Sequence, residues 1–122
     1  MKLLLLFGAI NGFLAVALGA FGAHGLEGRV PEKYLATWNT GVQYHMYHAL
    51  GMLTVGGLAM IMGNGSMLFT YAGWAMQVGI VFFSFTLYVL TLTQISILGA
   101  VAPIGGVAFL VGWLLLAIAV MK

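Results

Sequence analysis

Long apolar runs alternate with short polar breaks along this chain. A helix needs roughly 20 apolar residues to cross the bilayer hydrocarbon, which leaves room for about four such helices here. The runs predict spanning helices over residues 3–21, 40–62, 67–92 and 97–121. Short breaks lie at residues 63–66 and 93–96, and residues 23–39 form one long connection. The pattern therefore predicts an all-α integral membrane protein, an antiparallel four-transmembrane-helix bundle with a single domain, residues 1–122.

The long connection, residues 23–39, differs in character from the rest of the chain. Away from the two termini, charged side chains occur only in the segment from Glu27 to Lys33. Pro31 in that segment suits the first turn of a helix. Apolar and aromatic residues then recur at helical spacing at Tyr34, Leu35 and Trp38. We expect a short amphipathic helix between the first two spanning helices, lying at the level of the lipid headgroups.

The composition places the chain in the membrane class. Hydrophobic residues make up 63%, charged residues 5%, and the mean hydropathy is +1.13. Soluble proteins carry about a quarter charged residues. The first helix resembles a signal peptide, but we expect it to be retained. The four cations form no cluster, so we do not expect nucleic acid as a partner. The hydrophobic composition makes membrane lipid the expected partner.

The lysine and arginine residues do not decide the orientation of the protein in the membrane, because each predicted face has two of them. Lys2 and Lys122 lie at one predicted face, and Arg29 and Lys33 at the other. The side richer in Lys and Arg normally stays inside. Because Lys2 is next to the amino group and the long connection can be translocated, we expect both termini inside.

Small residues recur at helical spacing in three of the predicted helices. The first contains Gly8, Gly12, Ala15, Gly19 and Gly22. The third contains Ala72, Ala75 and Gly79, and the fourth contains Gly105, Ala108 and Gly112. In lipid, small residues let helix backbones approach closely, which stabilises helix pairs. These faces predict close packing within one chain or between the copies of a homo-oligomer.

The three histidines, His24, His45 and His48, all lie close to the charged segment from Glu27 to Lys33. A hairpin of the first two helices would place them at one membrane face. There they could bond loop backbone and tyrosine hydroxyls, or ligate a metal or haem with Glu27 or Glu32. The His-x-x-His spacing is a weak metal signal without a third ligand, so we assign no metal and no cofactor.

Polar residues deeper in the membrane are few and uncharged. Asn11 and Gln77 fall near the middle of the first and third predicted helices, where amides usually bond across helices. The absence of acidic or basic residues at that depth argues against a proton-coupled transporter. The chain has no aspartate, which excludes a Ser-His-Asp triad, and we expect no enzyme.

Four stretches of the sequence together carry a family resemblance. They are GAFGAHGL at residues 19–26, WNTGVQYHMYHAL at 38–50, FSFTLY at 83–88, and PIGG at 103–106 followed by GW at 112–113. In order and spacing they resemble the YgdD/YwdK-type family of small bacterial membrane proteins of unknown function. The resemblance implies a four-helix, multi-pass protein of the bacterial plasma (inner) membrane and supplies no activity.

These observations converge on a polar cap at one membrane face, where a small ligand, lipid or partner would bind without catalysis. The expected cap residues are His24, Glu27, Trp38, Gln43, Tyr44, His45 and His48; the expected packing residues are Gly8, Gly12, Gly19, Gly105 and Gly112. Two alternatives stay open. One is a metal- or haem-binding protein that uses the three histidines, and the other is a small oligomeric channel or carrier.

Overall fold

Helices form nearly all of the computed structural model, which describes residues 1–62 and 67–122. The α-helices are α1 (Lys2–Phe21), α2 (Glu32–Met62), α3 (Met67–Gly79), α4 (Thr86–Thr93) and α5 (Ala102–Met121). Two π-helical segments, Gly22–Leu26 and Ile80–Phe85, and one 3-10 helix, Ser96–Ala100, extend or join them. The described residues contain no strand.

These elements make four spans that are long and apolar enough to cross a membrane. In chain order the spans are Lys2–Leu26, Glu32–Met62, Met67–Thr93 and Ser96–Met121. The glycine contacts show that neighbouring spans run antiparallel, because Gly56 near the end of α2 meets Leu5 near the start of α1. The predicted antiparallel four-helix membrane bundle is therefore confirmed.

The second and third spans contact each other at the centre of the bundle. Helix α1 packs mainly on α2, and α5 packs mainly on α3 and on the π-helical segment Ile80–Phe85. The core where they meet is built from large apolar side chains, among them Met52, Phe69, Met76, Ile80 and Phe109.

The second helix begins eight residues earlier than the sequence predicted, at Glu32 instead of residue 40. The Pro31 carbonyl accepts hydrogen bonds from the backbone N–H groups of Tyr34 and Leu35 and so starts the helix. Trp38 is only 1% exposed, and its indole N–H donates to the Leu18 carbonyl at 2.8 Å. The segment is helical as expected, but it is not a separate helix, because it continues without a break into α2 and only Trp38 within it is buried.

The break before the last helix was predicted correctly. Helix α4 ends at Thr93, and Gln94 adopts the left-handed conformation (φ 58°), with its N–H bonded to the Leu90 carbonyl at 2.7 Å. The 3-10 helix follows, and α5 then begins with Pro103 in its first turn, where the missing N–H costs nothing. The turn predicted at residues 63–66 lies outside the described residues.

The glycines predicted to pack differ in what surrounds them. A side chain at Gly8 would meet Leu53, one at Gly19 would meet Val42, and one at Gly112 would meet Met76. The closest approach to a backbone atom is at Gly105, where a Cβ atom would overlap the backbone nitrogen of Phe83. Gly12 departs from this pattern, because a Cβ atom there meets nothing within 4 Å.

Candidate functional site

A chain of hydrogen bonds links three of the four spans. The Nε2 atom of His45 lies 2.9 Å from Asn11 Oδ1, and its Nδ1 atom lies 2.8 Å from the Tyr88 hydroxyl. The Asn11 amide nitrogen donates to Gln77 Oε1 at 2.7 Å and to the Phe7 carbonyl at 2.8 Å. His45 has no exposed surface. The expectation that these amides bond across helices is confirmed, and the bond between Asn11 and Gln77 belongs to a larger network.

The partners of each group fix the direction of this network. Because the Asn11 amide nitrogen faces two acceptors, its oxygen faces His45 and accepts the Nε2–H. The other nitrogen of a neutral His45 ring then accepts from the Tyr88 hydroxyl. Every buried side-chain nitrogen and oxygen in the described residues has a partner. The network therefore joins the helices through neutral groups whose buried polar atoms are all hydrogen-bonded.

His48 lies one turn further along α2 and points toward the fourth span. Its Nδ1 atom is 2.7 Å from the Tyr44 carbonyl, and its Nε2 atom accepts the indole N–H of Trp113 at 2.9 Å. A carbonyl can only accept and an indole can only donate, so His48 is the neutral tautomer with the proton on Nδ1. Its ring stacks on Phe109 with centroids 3.5 Å apart and planes 8° from parallel.

A pocket of about 380 Å³ opens beside His48, between the second and fourth spans. It is lined by Tyr44, Tyr47, His48, Phe83, Gly106, Phe109, Leu110 and Trp113. The Tyr44 ring lies 4.9 Å from Phe83, and Phe83 lies 5.6 Å from Phe109, so aromatic side chains form most of the wall. None of the lining residues carries a charge. The pocket therefore suits an apolar molecule that has few polar atoms.

The structure does not bring the predicted cap residues together. His24, Glu27 and Gln43 are exposed, and the first two lie at or beyond the end of α1. His45 and His48 lie well inside α2, about 20 Å along its axis from Glu32 at about 1.5 Å per residue. Within the described residues no hydrogen bond or ring contact joins His24 to His45 or His48, so the structure keeps the first histidine apart from the other two.

The three histidines do not come together in the way that the metal or haem alternative supposed. Within residues 1–62 and 67–122, histidine, aspartate and glutamate side chains form no group of three that could hold a metal ion. Both nitrogens of His45 and of His48 are engaged by side-chain or backbone groups. His24, His45 and His48 therefore do not form the common ligand set that this alternative required.

Several residues of the pocket and the network did not follow from the sequence reasoning. Phe109 had no local signal that distinguished it from other aromatic residues in apolar helices, and Tyr88 was indicated only by its place in the stretch at residues 83–88. Phe83, Gly106 and Trp113 fell inside the stretches that carry the family resemblance, which was the one available indication of their importance.

Comparisons with known proteins agree with this architecture. The family described as "Protein of unknown function (DUF423)" matches residues 18–106. The chain is 59% identical to the UPF0382 membrane protein YwdK of Bacillus subtilis, over 100% of this chain and 98% of the relative. It is 52% identical to a UPF0382 membrane protein of Staphylococcus epidermidis, with the same coverage. No solved structure matches the chain. The resemblance seen in the sequence is confirmed, and the chain belongs to the DUF423 family of membrane proteins of unknown function.

Proposed function

We propose that this protein binds a small lipophilic molecule, without catalysis, in the pocket between its second and fourth spans. The observation that carries the proposal is the pocket itself: about 380 Å³, with aromatic walls. Ligand sites in proteins commonly enclose about 300–1,000 Å³ and are lined mainly by hydrophobic and aromatic side chains. Since the relatives are bacterial membrane proteins, we place the protein in the bacterial plasma (inner) membrane.

The position of the pocket supports uptake from the bilayer. Leu110 and Tyr47 line it and are 71% and 54% exposed on the lateral surface of the bundle, where lipid surrounds a membrane protein. A molecule dissolved in the bilayer could therefore reach the pocket sideways. The binding site proposed from the sequence moves accordingly, from a cap at the membrane face to a groove between spans, and keeps Tyr44 and His48.

The chemistry of the lining residues favours binding over catalysis. His48 is the one lining side chain that could act as a general base near neutral pH. Its two nitrogens are already used by the Tyr44 carbonyl and the Trp113 indole. With both positions occupied, His48 has no free lone pair to accept a proton from a substrate, so its role here is to hold Trp113 in the pocket wall.

Filling the pocket should abolish binding and leave the fold intact. Gly106 lines the pocket, and a Cβ atom there meets nothing within 4 Å, so the side chain of Gly106→Leu starts from open space at the pocket wall. The chain has three tryptophans, and only Trp113 lines the pocket. We expect a brominated long-chain alkane, added sparingly to detergent-solubilised protein, to quench saturably the part of the tryptophan fluorescence that comes from Trp113. In Gly106→Leu the apparent affinity of the alkane, taken from the quenching curve, should be at least about tenfold lower, because leucine occupies the space of the ligand.

Gly57→Leu provides the matched control. A Cβ atom at Gly57 also meets nothing within 4 Å, but Gly57 does not line the pocket. This variant should keep the quenching curve of the unchanged protein, and both variants should keep its melting temperature. Equal quenching in Gly106→Leu and in the unchanged protein would contradict the proposal, because the alkane would then be contacting Trp113 from the surrounding micelle.

We also propose a homo-oligomer as a second possibility, favoured by the open surroundings of Gly12. In that case Gly12→Leu should disperse the oligomer, because a larger side chain prevents close backbone approach. The stability of each chain should be unchanged, since a Cβ atom at Gly12 meets nothing within 4 Å. Size-exclusion chromatography with light scattering in mild detergent measures this. A single-chain mass in both proteins would contradict the oligomer.

A further inference from the structure

We infer that the ligand of this pocket is a neutral lipid without a charged headgroup that carries a hydroxyl or carbonyl oxygen and bonds Tyr44 and Tyr47. Long-chain ketones and alcohols and membrane-soluble quinones belong to this class. The inference rests on the proposed function, since it names the chemistry of the molecule bound in the same pocket.

The first argument is that two tyrosine hydroxyls at the pocket lack partners. Tyr44 and Tyr47 both line it, and neither hydroxyl makes a hydrogen bond within the part of the chain that the structure describes. The Tyr88 hydroxyl in the neighbouring network is bonded to His45. In hydrocarbon no water is present to satisfy a polar group, so hydroxyls there favour a bound oxygen as a partner.

The second argument is the position of the two tyrosines within the second span. Helix α2 has 31 residues and is about 46 Å long at about 1.5 Å per residue, whereas the hydrocarbon core of a bilayer is about 30 Å thick. Any stretch of about 20 residues within α2 includes Tyr44 and Tyr47, so both residues lie in the hydrocarbon whichever part of the helix crosses it. An uncharged oxygen is the bonding partner that costs least to bring to this level.

The third argument is the absence of charge around the pocket. None of its eight lining residues has a net charge, and His48 is held neutral by one donor and one acceptor. A charged group at this depth is costly unless a partner of opposite sign is present. The lining offers hydroxyls that donate or accept, which fits an uncharged hydroxyl or carbonyl.

A competition experiment on the full chain tests the oxygen directly. The brominated alkane is bound first, and a long-chain ketone or the unbrominated alkane of equal length is then added to restore Trp113 fluorescence. We expect the ketone to compete about 5- to 10-fold better, the factor of one net hydrogen bond. In Tyr44→Phe with Tyr47→Phe the ratio should fall to about one, because both donors are lost while the rings remain.

Tyr71→Phe is the matched control, since Tyr71 is exposed but does not line the pocket, and it should keep the ratio. If ketone and alkane compete equally in the unchanged protein, while Gly106→Leu still blocks the brominated alkane, the ligand class is wrong and the pocket remains a binding site. If the ketone keeps its advantage in the double variant, the tyrosines do not bind the oxygen. If Gly106→Leu changes nothing, the proposed function fails as well.

Discussion

Gly105→Ala should destabilise the bundle by about 3 kcal/mol, the upper part of the usual range for overpacking a tight contact. The added methyl group would overlap the backbone nitrogen of Phe83 and lie 2.7 Å from the Phe82 carbonyl carbon. Backbone atoms cannot rotate away as a side chain can, so α5 has to move off the π-helical segment Ile80–Phe85. Unfolding by a denaturing detergent, followed by circular dichroism, measures the loss.

The neighbouring residue supplies the control for this prediction. Gly106→Ala is the same substitution one position later, and a Cβ atom there meets nothing within 4 Å. It should change stability by less than about 0.5 kcal/mol, or raise it slightly, because alanine favours helix over glycine. Equal losses in the two variants would show that backbone flexibility at the start of α5 matters and the close helix contact does not.

His45→Leu should lower stability by about 2 kcal/mol. Leucine fills a similar volume but removes the partner of Asn11 Oδ1 and of the Tyr88 hydroxyl, and unpartnered buried polar groups cost about 1–3 kcal/mol each. Hydrogen bonds between membrane helices contribute only about 0.6 kcal/mol on average. We therefore expect a loss at the lower end of the range for two unpartnered groups. The same unfolding experiment measures it.

A double-substitution cycle connects this loss to the network. Asn11→Leu removes the other side of the bond, so the loss in the double variant should be smaller than the sum of the two single losses. Thr54→Val is the control, since Thr54 is exposed and donates only to the Leu50 carbonyl in its own helix. Strictly additive losses for His45 and Asn11 would mean that the bond between them contributes nothing.

The four spans could be predicted from the sequence because apolar length alone determines which helices cross a bilayer. The start of α2 could not, because the polar residues between Glu32 and Asn39 resemble an interfacial connection. What makes them helical and partly buried is a tertiary contact, the bond from Trp38 to the Leu18 carbonyl. The two π-helical segments likewise have no marker in the sequence, since a single widened turn leaves the apolar pattern unchanged.

Two residues of the proposed pocket, His48 and Tyr44, could be singled out from the sequence. Their partners, Phe109 and Trp113, are more than 60 positions away in the chain, and only the packing of α5 brings them to His48. The sequence indicated that Asn11 and Gln77 bond across helices, because buried amides in lipid have few other options, but it did not indicate that they bond each other.

The neutral tautomer of His48 has an electrical consequence. One nitrogen of the His48 imidazole donates to a carbonyl, and the other accepts from an indole, so the ring is uncharged. The charged lysine, arginine and glutamate side chains all lie near the ends of the spans. Moving one elementary charge through a membrane potential of about 100 mV is worth about 2.3 kcal/mol. The interior of this bundle presents no such charge, so the voltage across the membrane does no work on a rearrangement of its spans. We therefore expect the proposed neutral ligand to bind with the same affinity in a polarised and in a depolarised membrane.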